Sequence, residues 1–256
     1  MMIDLERQAQ RCSELIQQNN AIAILTGAGI STNAGIPDFR GPQGLYVTRR
    51  YDPQKIFDIN YFLYDPQPFY EFARDFIGLE QEIAPTLAHC FLSKLEETGK
   101  LRGIVTQNID ALHQKAGSNN VFEIHGSFWE SQCLKCSRKF QYPELKEKLF
   151  TEKVPVCLCG GVIKPDIVFF GEDVKFLDES MTLAKEADLF LVIGTSCVVY
   201  PAGMIPTLTQ GQIVVINKEP VRHRFGNVVL SVLEDIDHFF TRLARYLGVN
   251  LDEAKH

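Results

Sequence analysis

The sequence has few of the features that would place a chain in or across a membrane. Its apolar runs, such as 21–25, 189–194 and 213–216, are far shorter than the roughly 20 residues that a membrane-spanning helix needs. The opening residues MMIDLERQAQRC contain acidic side chains and no apolar core, unlike a secretory signal. We therefore expect a cytoplasmic protein with no membrane partner.

Positive charge is also scarce, since 26 lysines and arginines stand against 32 acidic residues and give a formal net charge of −6. Nucleic-acid-binding proteins usually present a strongly basic surface, so no direct nucleic-acid binding is predicted. The seven cysteines are odd in number, which argues against a disulfide framework. Cys12, Cys90 and Cys197 stand apart in apolar surroundings and are expected to be buried thiols.

Apolar strand patterns alternate with helical patterns along most of the chain. This alternation predicts an α/β fold, with a doubly wound parallel sheet covered by helices on both faces. Helices are predicted at 4–19, 85–97, 178–187, 202–209 and 236–247, and strands at 21–26, 103–107, 121–124, 166–170, 189–194 and 213–217. Ligands of such sheets bind at the carboxyl ends of the strands, where the polar motifs of this sequence fall.

Two stretches interrupt the alternation, an aromatic-rich one at 41–76 and a cysteine-containing one at 131–163. We expect them to form a small inserted module, helical in its first part and zinc-binding in its second. The large domain would then comprise residues 1–40, 77–130 and 164–256 of a single unit.

The most informative stretch is AILTGAGISTNAGIPDFRGPQG, residues 23–44. Gly27 and Gly29 follow an apolar run and would let the backbone approach a phosphate, although a simple turn uses glycines in the same way. Thr32 replaces the third glycine of the dinucleotide fingerprint, and Arg49 and Arg50 stand where dehydrogenases carry an acidic ribose ligand. The loop thus resembles a dinucleotide site but departs from the dehydrogenase pattern.

A second polar motif, Asp38-Phe39-Arg40, continues the same loop. Arg40 is suited to pair with a phosphate, and Phe39 to cover a ring or to shield a reactive carbon from water. The alternative is a surface turn with one buried aromatic side chain.

Polar side chains also follow the next predicted strand, in the motif TQNIDALH. Gln107, Asn108 and Asp110 suit ribose hydroxyls and a carboxamide, whereas a helix cap at Asn108 is the alternative. His113 is expected to be a solvated helix residue.

His125 follows the predicted strand at 121–124 and precedes a glycine that leaves it room. A histidine in this place is suited to act as a general base near neutral pH, or it is structural. Two further strands end in residues that suit the second half of a dinucleotide, namely Gly194, Thr195, Ser196, Asn217 and Lys218.

The remaining four cysteines form two close pairs. Cys133 and Cys136 have two residues between them, in the pattern C-x2-C, and after 20 further residues Cys157 and Cys159 follow with one residue between them. The spacing predicts a tetrahedral zinc site of structural role, because four protein ligands leave no open position for catalysis. Four unpaired reduced thiols are the alternative.

Together these motifs resemble the sirtuin family of NAD-dependent protein-lysine deacylases over nearly the whole chain. The resemblance rests on GAGISTNAGIPDFRGPQGLY, TQNIDALHQKAG, EIHGS, the cysteine cluster, KPDIVFFGE, GTSCVVYPAG and IN. It implies a Rossmann-like large domain and a small zinc-ribbon and helical module, with NAD and an acetylated protein or peptide bound between them. The implied NAD contacts are Gly27, Ala28, Gly29, Thr32, Asp38, Phe39, Arg40, Gln107, Asn108, Ile109, Asp110, His125, Gly194, Thr195, Ser196, Asn217, Lys218 and Ile236. The residues implied to pair with substrate peptide as an added strand are Val168, Phe169, Phe170 and Gly171.

The resemblance also implies a reaction in which NAD is consumed rather than reduced. The acyl oxygen of the modified lysine attacks the ribose carbon that carries nicotinamide, and the acyl group passes to ADP-ribose. His125 would act as general base on a ribose hydroxyl, and Asn108 is the second implied catalytic residue. The expected products are nicotinamide, O-acetyl-ADP-ribose and free lysine, and one structural zinc ion is expected in addition to NAD.

The acyl preference follows from two positions. Sirtuins that prefer succinyl or malonyl lysine carry a tyrosine and, three residues later, an arginine in the helix after the flexible loop. Ala73 and Phe76 align with these positions in FYEFARDF. Because an uncompensated carboxylate in an apolar pocket is costly, short uncharged acyl groups are predicted, acetyl first.

Four other functions fit parts of the sequence. A nicotinamide-dependent dehydrogenase would need the acidic ribose ligand that is missing. A zinc-ribbon nucleic-acid binder would need basic residues around the cysteines, and Lys135, Arg138 and Lys139 are there, although a solvated face explains them as well. A mono-ADP-ribosyltransferase, or a deacylase for longer acyl chains, would use the same NAD site, and the mass of the product distinguishes these activities.

Overall fold

The computed structural model describes residues 2–38, 51–80 and 83–251. Its strands are β1 Ile22–Thr26, β2 Leu101–Thr106, β3 Val121–Glu123, β4 Gly126–Cys133, β5 Lys139–Gln141, β6 Ile163–Ile167, β7 Leu189–Ile193, β8 Gln212–Asn217 and β9 Val228–Leu233. Six of these form a parallel sheet in the order β3-β2-β1-β7-β8-β9. This is the strand order of Rossmann-type sheets, with the switch point between β1 and β7. The predicted doubly wound α/β fold is confirmed.

Helices cover both faces of the parallel sheet. The α-helices are Met2–Gln18, Pro53–Ile56, Ile59–Tyr64, Gln67–Glu80, Leu87–Glu97, Leu112–Lys115, Tyr142–Thr151, Leu177–Glu186 and Ile236–Leu247, and the 3₁₀-helices are Ala28–Ala34 and Ala202–Leu208. The first and last helices contribute to the hydrophobic core on one face, and Ala202–Leu208 contributes to the core on the other. β1 and β7 are buried along their whole length, which explains why they read as continuous apolar runs.

A second sheet is antiparallel, with the order β5-β4-β6, and shares a hydrophobic core with the helices between residues 53 and 80. This core is aromatic. Phe57, Phe62, Phe69 and Phe169 lie with ring centroids 5.0–6.5 Å apart, mostly edge to face, a geometry that stabilises beyond simple burial. The aromatic-rich stretch that interrupts the sequence alternation therefore forms a second core together with the antiparallel sheet.

The prediction of a strand at 166–170 in the parallel sheet is wrong. The first residues of this stretch belong to β6, which pairs with β4 in the antiparallel sheet, and Phe170 forms only an isolated bridge with Asp58. The apolar pattern was correct about extended structure, but it could not identify a partner strand 30 residues or more away. The predicted elements also omitted β4, β5, β9 and the helix Tyr142–Thr151.

Three of the proposed domain boundaries, those after residues 76, 130 and 163, fall inside regular elements. β4 crosses the proposed boundary after residue 130, and the helix Gln67–Glu80 crosses the one after residue 76. The division into two modules therefore stays a prediction. Of the helices described, none has the combination of length and apolar character that a membrane crossing requires.

Candidate active site

The first part of the site lies where β1 and β7 end side by side. The Gly27 amide donates to the Ile193 carbonyl at 3.2 Å, and the Gly29 amide donates to the Gly194 carbonyl at 2.8 Å. A Cβ atom on Gly29 would stand only 2.8 Å from the Cα atom of Gly194. The two glycine-containing loops therefore touch through their backbones at the switch point of the sheet, where doubly wound folds bind ligands.

This contact leads to a prediction for Gly29→Ala. The added methyl group cannot fit without moving the backbone of Gly194, and overpacking of this kind costs about 1–3 kcal/mol of unfolding free energy. Urea unfolding measures the loss. The matched control is Gly78→Ala in the exposed part of the helix Gln67–Glu80, where nothing lies within 4 Å of the new methyl group. That variant is expected to gain about 0.5–1 kcal/mol, and equal stabilities of the two variants would contradict the prediction.

A buried polar cluster joins the first loop to the residues that follow β2. The Ser31 hydroxyl donates to Oδ2 of Asp110 at 2.7 Å, and Nδ2 of Asn108 donates to the Ser31 hydroxyl at 3.1 Å. Burial raises the pKa of Asp110, opposed by hydrogen bonds from the Leu112 amide and from Ser31. The cluster thus holds Asn108 and Asp110 in fixed positions. Ser31 is not among the predicted site residues, although its hydroxyl inside the motif GAGIS was an available signal.

His125 lies at the same edge, directly after β3. Its Nδ1 atom is 2.9 Å from the Gln107 carbonyl oxygen. A carbonyl oxygen only accepts, so Nδ1 carries the proton and Nε2 of the neutral ring keeps a free lone pair. Burial lowers the pKa of His125, and the bond to Gln107 opposes this. His125 is therefore neutral at pH 7 and presents a base at Nε2.

Gln107 also connects β2 to the second half of the sheet. Its Nε2 atom donates to the Thr195 hydroxyl at 2.9 Å, and Nδ2 of Asn217 donates to the Thr195 carbonyl at 3.2 Å. Ser196, next to Thr195, is half-buried. The ends of β2, β7 and β8 are thus joined through Thr195, as the motif positions predicted.

Lys218 lies next to the start of the last helix. Its Nζ atom pairs with Oδ2 of Asp235 at 2.9 Å, and Nδ2 of Asn33 donates to Oδ1 of the same carboxylate at 3.0 Å. Asp235 caps the helix that begins at Ile236, and Ile236 is buried. Asp235, absent from the predicted site, connects the first loop to the end of β8.

The expectation that His113 is a solvated helix residue is wrong. Its side chain is buried, its Nε2 atom lies 3.0 Å from the Thr26 hydroxyl, and its ring meets His89 with centroids 4.6 Å apart. Burial lowers its pKa to about 3, so it is neutral. The helix Leu112–Lys115 is a single turn, and its inner face packs beneath the site rather than toward solvent.

The remaining predicted positions are placed only in part. Ala28 and Thr32 lie in the 3₁₀-helix Ala28–Ala34 and are half-buried. Asp38 is the last residue of the described range 2–38, and Phe39 and Arg40 lie outside the described residues. The predicted peptide segment 168–171 follows β6, and the Val168 amide donates to the His125 carbonyl at 2.8 Å. This bond brings the segment to the histidine.

A small crevice opens beside Asp110 between the two sheets. Its lining is apolar and aromatic apart from Asp110, and consists of Phe76, Ile109, Asp110, Ala111, Phe128, Trp129 and Tyr142. Phe76 stacks on Phe128 with ring centroids 5.6 Å apart, and Ala73 on the same helix is fully buried. No basic side chain lines the crevice among the described residues.

The four clustered cysteines have the geometry of a metal site. The Sγ atoms of Cys133, Cys136, Cys157 and Cys159 all lie within 4.8 Å of one another, with Cys133–Cys159 at 3.4 Å and Cys136–Cys157 at 3.7 Å. Four thiolates around one zinc ion, with Zn–S bonds of about 2.3 Å, stand roughly 3.8 Å apart. The donor set therefore fits zinc, despite the single residue between Cys157 and Cys159.

Fold and site define a Rossmann-like α/β protein with polar motifs at the switch point of its parallel sheet and a cysteine-rich module. The family model described as "Sir2 family" matches residues 27–201. The NAD-dependent protein deacetylase of Thermotoga maritima is 44% identical over 210 residues, which cover 80% of this chain and 84% of the relative. The NAD-dependent protein deacetylase of Sulfurisphaera tokodaii is 42% identical over 245 residues, which cover 94% of this chain and 96% of the relative. The chain therefore belongs to the Sir2 family.

A solved structure agrees with this assignment. The structure of Sir2 with a p53 peptide and NAD⁺ superimposes with a TM-score of 0.85 at 39% identity, covering 94% of this chain and 98% of the other. The predicted resemblance to sirtuins is confirmed.

Proposed function

We propose that this protein is an NAD-dependent protein deacetylase that removes acetyl groups from lysine side chains. The observation that carries the proposal is the placement of His125, whose Nδ1–H is held by the Gln107 carbonyl at 2.9 Å while Nε2 stays available as a base. Membership of the Sir2 family and the deacetylase relatives at 42–44% identity support it.

NAD is the proposed co-substrate. The glycine loop at Gly27, Ala28, Gly29 and Thr32 would face its phosphates, because its backbone allows close approach and the start of a helix favours an anion there. The adenosine half would lie toward Gly194, Thr195, Ser196, Asn217, Lys218 and Ile236, and the nicotinamide ribose toward Asp38, Phe39, Arg40, Gln107, Asn108, Ile109 and Asp110. The ends of β2, β7 and β8, which are joined through Thr195, would lie beneath the bound NAD.

The chain's own residues would act in two ways. Asn108 and Asp110, fixed by Ser31, would orient the ribose and the carboxamide of nicotinamide. His125 would take a proton from a ribose hydroxyl through Nε2, since the ring is neutral at pH 7. The acyl oxygen of the lysine would displace nicotinamide at the ribose carbon, and the deprotonated ribose hydroxyl would then attack the acyl carbon. Addition of a water molecule would break the bond to the lysine nitrogen, which releases the free lysine and leaves the acetyl group as an ester on ADP-ribose.

Zinc is the proposed second cofactor, held by Cys133, Cys136, Cys157 and Cys159. It would stabilise the small module by linking the turn after β4 to the turn before β6. With four cysteine ligands, its role is structural.

The proposed substrate is an acetylated protein or peptide. Its backbone would add as a strand beside residues 168–171. A cytoplasmic location, the absence of a nucleic-acid partner and the division into a large domain and a small module stay predictions from composition and pattern.

We infer that the acyl group enters the crevice beside Asp110, because Phe76, one of the two aligned selectivity positions, lines it. A succinyl group would bring its carboxylate among aromatic side chains and beside Asp110, with no basic partner among the described lining residues. We expect kcat/KM for a succinyl-lysine peptide to be at least about tenfold below that for the acetyl peptide, and Phe76→Arg to narrow the gap. Steady-state kinetics with both peptides measures the ratio, with Phe150→Arg, an exposed position in the small module, as the matched control. Equal turnover of the two peptides by the wild type would overturn the prediction.

The decisive experiment is mass spectrometry of an acetyl-lysine peptide incubated with the protein, with and without NAD. NAD-dependent loss of the acetyl mass, with O-acetyl-ADP-ribose formed in equal amount, is the expected result. NAD consumed while the peptide keeps its acetyl group would favour ADP-ribosyl transfer, or a longer acyl chain as the substrate. No NAD consumption by zinc-replete protein would refute the proposed function.

A further inference from the structure

The segment 168–171 is held by an ion pair that the proposed reaction does not use. Nζ of Lys164, on β6, lies 2.9 Å from Oε2 of Glu172, and the two side chains are only 10% and 30% exposed. Partly buried pairs of this kind are retained where both charges have further hydrogen bonds, since burial of a lone charge is costly.

Glu172 binds both backbone groups of Phe169. Its carboxylate accepts from the Phe169 amide at 2.8 Å, and its own amide donates to the Phe169 carbonyl at 3.0 Å. The turn at the end of the segment is thereby closed by one residue.

Lys164 fixes the start of the same segment. Its Nζ atom donates to the Ile167 carbonyl at 2.7 Å and lies 4.3 Å from the centre of the Phe169 ring. An ammonium over an aromatic face is attracted to it, so the charge also holds the ring that enters the aromatic core. One cation therefore joins Ile167, Phe169 and Glu172.

The inner edge of the segment is fastened separately. The Phe170 amide donates to the Phe57 carbonyl at 2.7 Å, and the Ile59 amide donates to the Phe170 carbonyl at 3.1 Å. The Phe170 side chain and Gly171 stay exposed. An edge held from two sides before a peptide arrives loses less conformational freedom on binding, which increases affinity.

We propose that Lys164 and Glu172 are positioning residues that hold residues 168–171 ready to receive the substrate peptide. The inference rests on the proposed function, because it assumes that this segment binds the peptide. Neither side chain is required to touch the substrate, and their effect is on peptide affinity rather than on NAD.

The test is a double-substitution cycle with Lys164→Met and Glu172→Gln. Each single variant leaves one buried charge without its partner, so KM for an acetyl-lysine peptide is expected to rise about tenfold or more, with KM for NAD changed by less than about twofold. The double variant removes both charges. Its KM for the peptide is therefore expected to rise by much less than the product of the increases in the two single variants. Lys139→Met, which breaks the exposed pair with Glu130 in the same sheet, is the matched control and should leave both constants unchanged.

The outcomes separate the two proposals. The positioning role would be overturned if the single variants kept the wild-type KM for the peptide, or if the two effects multiplied in the double variant. It would also be overturned if the variants lost affinity for NAD and for the peptide equally. None of these outcomes would affect the deacetylase function. A wild type without NAD-dependent turnover would instead refute the function. If Lys164→Met does not fold, Glu172→Gln and Lys164→Arg test the positioning role instead. Lys164→Arg keeps the positive charge, so it is expected to retain more affinity for the peptide than Glu172→Gln, which removes the negative charge.

Discussion

Replacement of His125 by alanine is expected to lower the rate of NAD-dependent deacetylation by about 10²- to 10⁴-fold, the contribution typical of a positioned general base. The physical reason is the fixed tautomer of the imidazole. The Gln107 carbonyl, 2.9 Å from Nδ1, holds the proton on that nitrogen and leaves Nε2 as the only basic atom of the ring. Single-turnover kinetics with an acetyl-lysine peptide measures the loss, because product release then does not mask the chemical step.

The matched control for this variant is His238→Ala. The His238 side chain is half exposed and pairs with Glu234 near the start of the last helix, so its loss is expected to leave the rate unchanged. Binding of NAD to the His125 variant, measured by calorimetry, should persist. A rate within about tenfold of the wild type would refute the assignment of the base.

The same residue predicts the pH profile. Burial lowers the pKa of His125 from its ordinary value of 6.5, and only the neutral ring accepts a proton. The single-turnover rate should therefore stay level as the pH falls from neutral and decline only when His125 becomes protonated, with a midpoint below 6.5. A midpoint above that value would show that the charged form is favoured, contrary to the burial of the ring.

Loss of zinc is expected to have the second large effect. In Cys133→Ser the thiolate is replaced by a hydroxyl, a much poorer zinc ligand, at a position where the side chain is 1% exposed. Structural zinc contributes an apparent 10–16 kcal/mol or so in zinc-finger peptides, which is comparable to the roughly 5–15 kcal/mol that stabilises a whole domain. The variant should lose its zinc and unfold at a much lower temperature, beginning with the small module.

Metal content by mass spectrometry and thermal unfolding measure this effect together. Cys12→Ala is the matched control, because Cys12 is equally buried but lies in the first helix, away from the cluster. It should keep one zinc ion per chain even if it is less stable. Wild-type protein that carries no zinc after preparation in zinc-containing buffer would contradict the metal assignment.

Much of the site was predictable because parallel strands end at one edge. The motifs after β1, β2, β3, β7 and β8 each follow an apolar run, so alternation alone placed them together, and the structure joins several of them through Gln107 and Thr195. The cysteine pairs were also predictable, since their short spacings confine each pair to one turn. The 20 residues between the pairs contain β5 and the helix Tyr142–Thr151, after which the chain returns to the first pair.

The failures share a cause. His113 and the stretch 166–170 were misjudged because a local pattern shows which residues are apolar or polar, but not which distant segment will cover them. Ser31 was missed for the same reason, since its role depends on Asp110, which is 79 residues away along the chain.

The sequence by itself determined the fold class and the family resemblance, and it supplied the candidate site residues, because these depend on periodicity and short motifs. Only the tertiary structure decided the tautomer of His125, the partner of Lys164 and the pairing of β4 with β6. Each of these depends on a hydrogen bond or an ion pair between separate elements. Such bonds are short-ranged and directional, so they form only after the packing of the two cores has fixed distances to within a few tenths of an ångström.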